Sequence, residues 1–341
     1  MENQEKKNQE QVDFFEMIHK VLPAHLTLVD VVSELLRIGI DASYRRIRGA
    51  KLLDFKETMI LCRHFGISPD SVFGITDKSQ IRCNYRPLDL SDLKNYLIYV
   101  QNLAATFERV RSTPDSEMTL SASDIMFFNL LDYKELTFFK LFSWHNGTYG
   151  FAGGYDEFVT GLADYETEIV KGYNHIVRNY QSIPSTEIWS DNTIGNILRL
   201  LHYHYETGSF SDARTPLFLC GQLLDLVNTM ETWTEKGAKG TKDTPFKFYV
   251  SETDLEGTFI LLKQAGKTNC LIKLFTINSI SISDERFCHE TEHWLKSSAK
   301  RATFICGASE KGRYKFFHGQ RQKIRLLMDR MEREMGDRVY E

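Results

Sequence analysis

Leu26-Thr-Leu-Val-Asp-Val-Val-Ser-Glu-Leu-Leu-Arg-Ile-Gly-Ile-Asp-Ala-Ser-Tyr-Arg-Arg-Ile-Arg-Gly49 is the stretch from which the fold is read. Its first half is an amphipathic helix. Thr27 is a capping residue, and Leu28, Val31, Val32, Leu35 and Leu36 recur at helical spacing on one face. Arg37-Ile38-Gly39 then interrupts the pattern, and Gly39 is the residue best able to take the positive φ of a tight turn. Asp41 reads as the N-cap of a second helix, Ala42–Arg48. Tyr44 and Ile47, three apart, are expected to dock on the first helix. Ser43, Arg45, Arg46 and Arg48 are then expected to point outward, with Lys51 just beyond. Residues 37–51 hold five Lys or Arg and one Asp.

Such a basic face suits DNA. The major groove admits one α-helix. The arginine fork matches the two acceptors of guanine, and other cations grip phosphate and set register. Residues 26–73 resemble the Xre/Cro-type helix-turn-helix. The matching pieces are the Leu-Thr opening, Val32-Ser-Glu-Leu-Leu36, and Arg46-Ile47-Arg48-Gly49 closing the second helix. A further helix opens at Phe55-Lys-Glu-Thr, and Cys62-Arg-His-Phe-Gly-Ile-Ser-Pro-Asp-Ser-Val-Phe73 follows. The chain departs from that pattern at Arg37, where the family usually has a small residue or glycine. It also lacks the acidic residue common just before the closing Arg-Gly, and the loop after Gly49 is about one residue longer. The resemblance implies double-stranded DNA as partner, a homodimer, and Asp41, Ser43, Arg45, Arg46, Arg48 and Lys51 as the DNA-facing set. The competing readings are a solvated helical bundle and a helix-turn-helix turned into an assembly module, since a fold does not dictate its use.

Outward from this segment, the polar residues 1–12 read as a disordered tail, residues 13–75 as the all-α helix-turn-helix domain, and residues 76–87 as a linker. Residues 88–235 read as a mainly helical region suited to dimerisation. After a Gly/Lys loop at 236–244, residues 245–341 read as a small α+β region suited to sensing a small-molecule or protein signal. Its expected strands are Phe246–Val250, Thr258–Leu262, Cys270–Phe275 and Arg301–Cys306, with a helix capped by Asp284. The fold class is therefore multidomain.

The 341 residues carry a net charge of −4, so nucleic-acid binding must come from a local patch. No run approaches the roughly 20 apolar residues of a membrane span, and no signal peptide opens the chain. Membrane partners are not expected, and a cytoplasmic location is. The six cysteines show no CxxC pair and read as buried thiols. No cofactor is expected.

Two other motifs compete for a function. His289-Glu290-Thr-Glu-His293 spells the H-E-x-x-H zinc motif, in which Glu290 would be the base of a hydrolase. No third ligand is evident, so no metal is assigned and the chain is read as a non-enzyme. Residues 296–325 hold nine Lys or Arg (Lys296, Lys300, Arg301, Lys311, Arg313, Lys315, Arg321, Lys323, Arg325) against Glu310. This is read as a solvated helix with Phe316, Phe317 and Ile324 facing the core, in preference to an anionic-ligand site or a second nucleic-acid surface.

Overall fold

The computed structural model describes residues 2–23, 26–69, 80–275 and 277–338. Asp70–Phe73 of the resembling segment and residues 76–79 of the expected linker lie outside them. The chain divides into two compact units, residues 1–80 and 81–341.

The first unit is built from α1 (Glu2–Val21), α2 (Leu28–Leu36), α3 (Ile40–Ile47) and α4 (Phe55–Phe65). Residues 2–12 of the expected tail at 1–12 are instead helical and continuous with residues that the core requires. Phe14, Phe15 and Ile18 are buried against Val32, Leu61 and Cys62. Gln11 ties α1 to the loop before α4. Its Nε2 donates to the carbonyls of Arg46 at 2.6 Å and Lys51 at 2.9 Å, and its Oε1 accepts from Leu53 N at 2.8 Å. A side chain that satisfies three backbone groups specifies this loop as firmly as a strand pairing would.

Thr27 caps α2 as expected, accepting from Asp30 N. The turn after α2 differs. Arg37, with φ 53° and ψ 48°, takes the left-handed conformation, and its N–H and that of Ile38 close on Glu34 O and Ser33 O. Gly39 is extended at φ −68° and is the N-cap of α3. The helix has already begun when Asp41 arrives, so Asp41 sits in the first turn and does not cap it. Glycine's freedom is used instead at buried Gly49, whose φ of 71° turns the chain out of α3. α4 opens on a capping box between Asp54 and Glu57.

The second unit is one α/β assembly around a nine-stranded mixed sheet of order β1-β8-β7-β6-β2-β3-β5-β4, with β9 pairing β5. The strands are β1 (Asn84–Tyr85), β2 (Glu117–Ala122), β3 (Ser185–Ser190), β4 (Ala238–Lys239), β5 (Thr244–Ser251), β6 (Phe259–Gln264), β7 (Lys267–Lys273), β8 (Ser279–Ile282) and β9 (Thr303–Phe304). β2, β3 and β5 run parallel, and β6 returns antiparallel along β2. The region 88–235 therefore holds two central strands. It shares its sheet with 245–341, and the two do not form separate regions.

The helices of this unit are α5 (Lys94–Ser112), α6 (Phe127–Leu130), α7 (Lys134–Tyr149), α8 (Tyr155–Gly161), α9 (Ala163–Tyr180), α10 (Gly195–Glu206), α11 (Thr215–Lys236), α12 (Glu285–Arg301) and α13 (Glu310–Arg338). They cover both faces of the sheet. Ile188 packs with Leu261, Cys270, Cys288 and Leu295 under α12, whereas its neighbour Trp189 joins the larger core of the opposite face. That alternation is the strand period of two. Asp284 caps α12, accepting from Phe287 N at 2.8 Å, and the helix runs on to Arg301. The expected strand at 301–306 shrinks to Thr303–Phe304. Five of the six thiols are buried and Cys83 is exposed.

Arg37 occupies a conformation that costs a side chain bearing Cβ about 1 kcal/mol. Arg37→Gly is therefore expected to raise the stability of the first unit by at most about 0.6 kcal/mol, after allowing for glycine's larger unfolded-state entropy of about 0.4–1 kcal/mol. Chemical denaturation followed by far-UV circular dichroism measures it, and a loss of stability would remove the strain assignment.

Candidate functional site

The six DNA-facing candidates do not share one face. Every third or fourth residue of α3 turns inward. Ser43 is fully buried and donates from Oγ to Gly39 O at 3.2 Å. Arg46 is only 5% exposed. Its guanidinium grips Glu57 of α4 with both arms, Nε to Oε2 at 3.0 Å and Nη2 to Oε1 at 2.5 Å, while Nη1 donates to Ala42 O at 3.2 Å. Glu57 also accepts from Asp54 N at 3.1 Å. The carboxyl of Glu57 is held below its usual range, chiefly by the Arg46 hydrogen bond. All the strong acceptors that an arginine fork seeks are thus supplied from within the unit. Ser43 and Arg46 are removed from the candidate surface.

This ion pair corrects the expected roll of the helix. With Ser43 and Arg46 inward, Tyr44 points out and is 44% exposed, where it was expected to dock. Ile47 does pack on the core of the unit. The outward face carries Ile40, Asp41, Tyr44, Arg45 and Arg48, followed by Lys51. The Arg48 guanidinium lies 5.5 Å from the centre of the Tyr44 ring, one helical turn back. Arg45, Arg48, Lys51 and Arg37 of the preceding turn are exposed cations near a single exposed acid of α3, Asp41. The sequence reading missed Ile40 and Tyr44 as surface residues. The signal that was present is Glu57, the only acid in α4, three residues after a good N-cap and able to reach back.

Exposed apolar side chains gather in the same unit. Phe55 is 84% exposed at the first residue of α4, and Ile40 and Leu52 are each more than half exposed.

Elsewhere the motifs separate. His289, Glu290 and His293 lie exposed on α12, and Cys288 of the same helix turns inward, with Sγ bonded to the carbonyls of Ile282 and Thr268. Among the described residues no group of three or more His, Cys, Asp or Glu is placed to hold a metal ion. The basic run at 296–325 is partly matched by its own unit, while Lys300, Arg301, Lys311, Lys315 and Arg325 are exposed. Arg313 is buried and donates to the carbonyls of Ile305 and Gly307, Arg321 pairs with Glu231, and Lys323 pairs with Asp191. Phe316, Phe317 and Ile324 are buried. No helix among the described residues is long and apolar enough to cross a membrane.

Compared with known proteins, the chain matches no protein-family model, no curated protein and no solved structure.

Glu57→Ala leaves the Arg46 guanidinium buried without its acceptor and is expected to cost the first unit about 3 kcal/mol. The sign of the pH dependence follows from the lowered carboxyl. Its contribution is complete above the unfolded carboxylate range and fades as pH falls through the lower folded value. Thermal melts of the wild type between neutral and acidic pH should therefore show a loss that the Glu57→Gln variant lacks. Parallel pH profiles for the two proteins would contradict the pair's role.

Proposed function

We propose that this chain is a sequence-specific DNA-binding transcription regulator. It acts as a homodimer on double-stranded DNA, with residues 81–341 serving for sensing or assembly. The observation that carries the reading is the outward face of α3. It presents two arginines, one tyrosine and a following lysine on a short helix of an otherwise acidic chain. Arg45 and Arg48 have the fork that reads guanine, the Tyr44 ring can pack on a thymine methyl, and Arg37 and Lys51 are placed to hold phosphate. One such helix reads few base pairs, which is the physical reason for a dimer. The assigned work is binding rather than catalysis, in the compartment that holds the DNA, the cytoplasm of a bacterial-type cell.

A second reading is favoured by a specific observation. Phe55, Leu52 and Ile40 are exposed close in sequence to the basic face, and exposed aromatic and aliphatic anchors are what a protein interface is built on. In that reading the unit is an assembly module that does not bind DNA.

Titration of full-length protein onto duplex DNA of random sequence at several salt concentrations separates the two. DNA binding predicts affinity that falls steeply with salt, with Arg45→Ala and Arg48→Ala each lowering the slope by about 1 where the arginine meets a phosphate. Weak, salt-insensitive binding, unchanged in the double variant, would favour the assembly module.

A further inference from the structure

The second unit contains a cavity of about 160 Å³ between the sheet and its helices. Its wall is apolar: Leu103, Phe107, Met118, Phe127, Trp144 and Ile260 are representative. A void of this size, lined this way, is comparable to one that holds a benzene ring. Lys273, on β7, is the single charged residue among its described lining.

Lys273 connects the cavity to a charged cluster that does not itself line it. Asp124 follows β2 and accepts from two ammonium groups, Lys140 Nζ at 2.9 Å and Lys273 Nζ at 2.8 Å, and from Asn196 Nδ2 at 3.3 Å. Lys140 is buried, and Asp124 nearly so. Both ammoniums stand 5.9 Å from the ring centre of Trp144, which itself lines the cavity. Burial alone would push the Asp124 carboxyl up, but the two lysines outweigh it and leave it at about 2. Asp124 is therefore one negative charge between two positive ones. Among the described residues no other acid lies within ion-pair distance of either lysine. The buried Lys140 is matched by Asp124, so the excess positive charge falls on Lys273, which is part exposed and lines the apolar void, where an anion would find a charged donor.

We propose that this cavity binds a small monocarboxylate whose apolar body is about the size of one aromatic ring, with its carboxylate accepting from Lys273. Lys273 is part exposed, so its ammonium has donors to spare after Asp124 is satisfied. The apolar body fills the void against Trp144 and Phe127, and the carboxylate offsets part of the excess positive charge of the cluster, to which Arg199 also contributes. The ligand class would be the signal of the proposed regulator. Binding itself is read without DNA, so its failure and the failure of the DNA reading are separate results.

Isothermal titration calorimetry of the full-length protein with phenylacetate, and with phenylacetamide as its neutral counterpart, tests the site. Phenylacetate is expected to bind one per chain and at least about tenfold more tightly than the amide, the margin of one charge-assisted hydrogen bond. Lys273→Met leaves Asp124 balanced by Lys140 and should erase that preference while benzene still binds. The wild-type comparison needs no variant: equal affinity for acid and amide, or no binding of either, would overturn the proposal. An undiminished preference in a folded Lys273→Met protein would overturn the role of Lys273.

Discussion

The roll of α3 rests on one ion pair. Arg46 and Glu57 meet across the α3–α4 junction with two parallel hydrogen bonds, and the geometry of the arginine fork leaves little rotational choice. Once Arg46 is turned inward, the helical period does the rest. Ser43, one turn earlier, must be small because it is buried, and Tyr44, Arg45 and Arg48 must face out. Glu57 serves twice, since the same carboxylate closes the capping box that starts α4. Gln11 completes the arrangement from α1 by bonding the carbonyl of Arg46 itself. The pair, the cap and the glutamine form one connected network, which fixes the roll of α3 on α4. Removing either charged partner leaves the other buried and unpaired, which is more damaging than never having had the pair.

The helices of the first unit were legible because their signals are local. Thr27, the apolar stripe of α2 and the Asp54-to-Glu57 spacing are short-range patterns. The roll of α3 was not legible. Arginine on an eight-residue helix reads as surface from composition alone, and the reason to bury it lies on another helix eleven residues away. The left-handed residue was misplaced for a related cause. Glycine is the cheaper occupant of that conformation, but the register of α2 puts it at Arg37, and Gly39 is needed two residues later only as an extended entry to α3. Helix α1 was read as a tail at 1–12 because its polar start hides Phe14, Phe15 and Ile18, which lie beyond it.

In the second unit, the strands of 244–273 were legible from alternation and β-branched content, and β2 and β3 were not. Ser185-Thr-Glu-Ile-Trp-Ser190 is a central strand buried among polar partners. Glu187, fully buried, accepts from Trp189 Nε1 at 2.8 Å and from Tyr180, and Lys239 donates to Ser185 Oγ at 2.7 Å while lying 3.4 Å from the centre of the Tyr180 ring. Buried polar groups of this kind are tolerated because each finds a partner: Glu187 finds two nearby, in Trp189 and Tyr180, whereas Ser185 is met by Lys239 from a distant segment that no local window of sequence contains. The same applies to Asp124, Lys140 and Lys273. They are far apart in the chain, carry no motif, and meet only because β2 and α7 pack beside the returning strands. Motifs that were visible, such as His289-Glu290-Thr-Glu-His293, stand on an exposed helix face without a third ligand among the described residues.

The most direct test of the central claim is a selection of bound sequences from a random duplex pool, using purified full-length protein at about 150 mM salt, where phosphate contacts alone bind weakly. The account predicts enrichment of a two-fold repeated motif, with half-sites one helical turn or a multiple apart, and loss of that enrichment in the folded Arg45→Ala, Arg48→Ala protein. A folded wild-type protein that enriches no motif, or a motif unchanged by the double substitution, would contradict it.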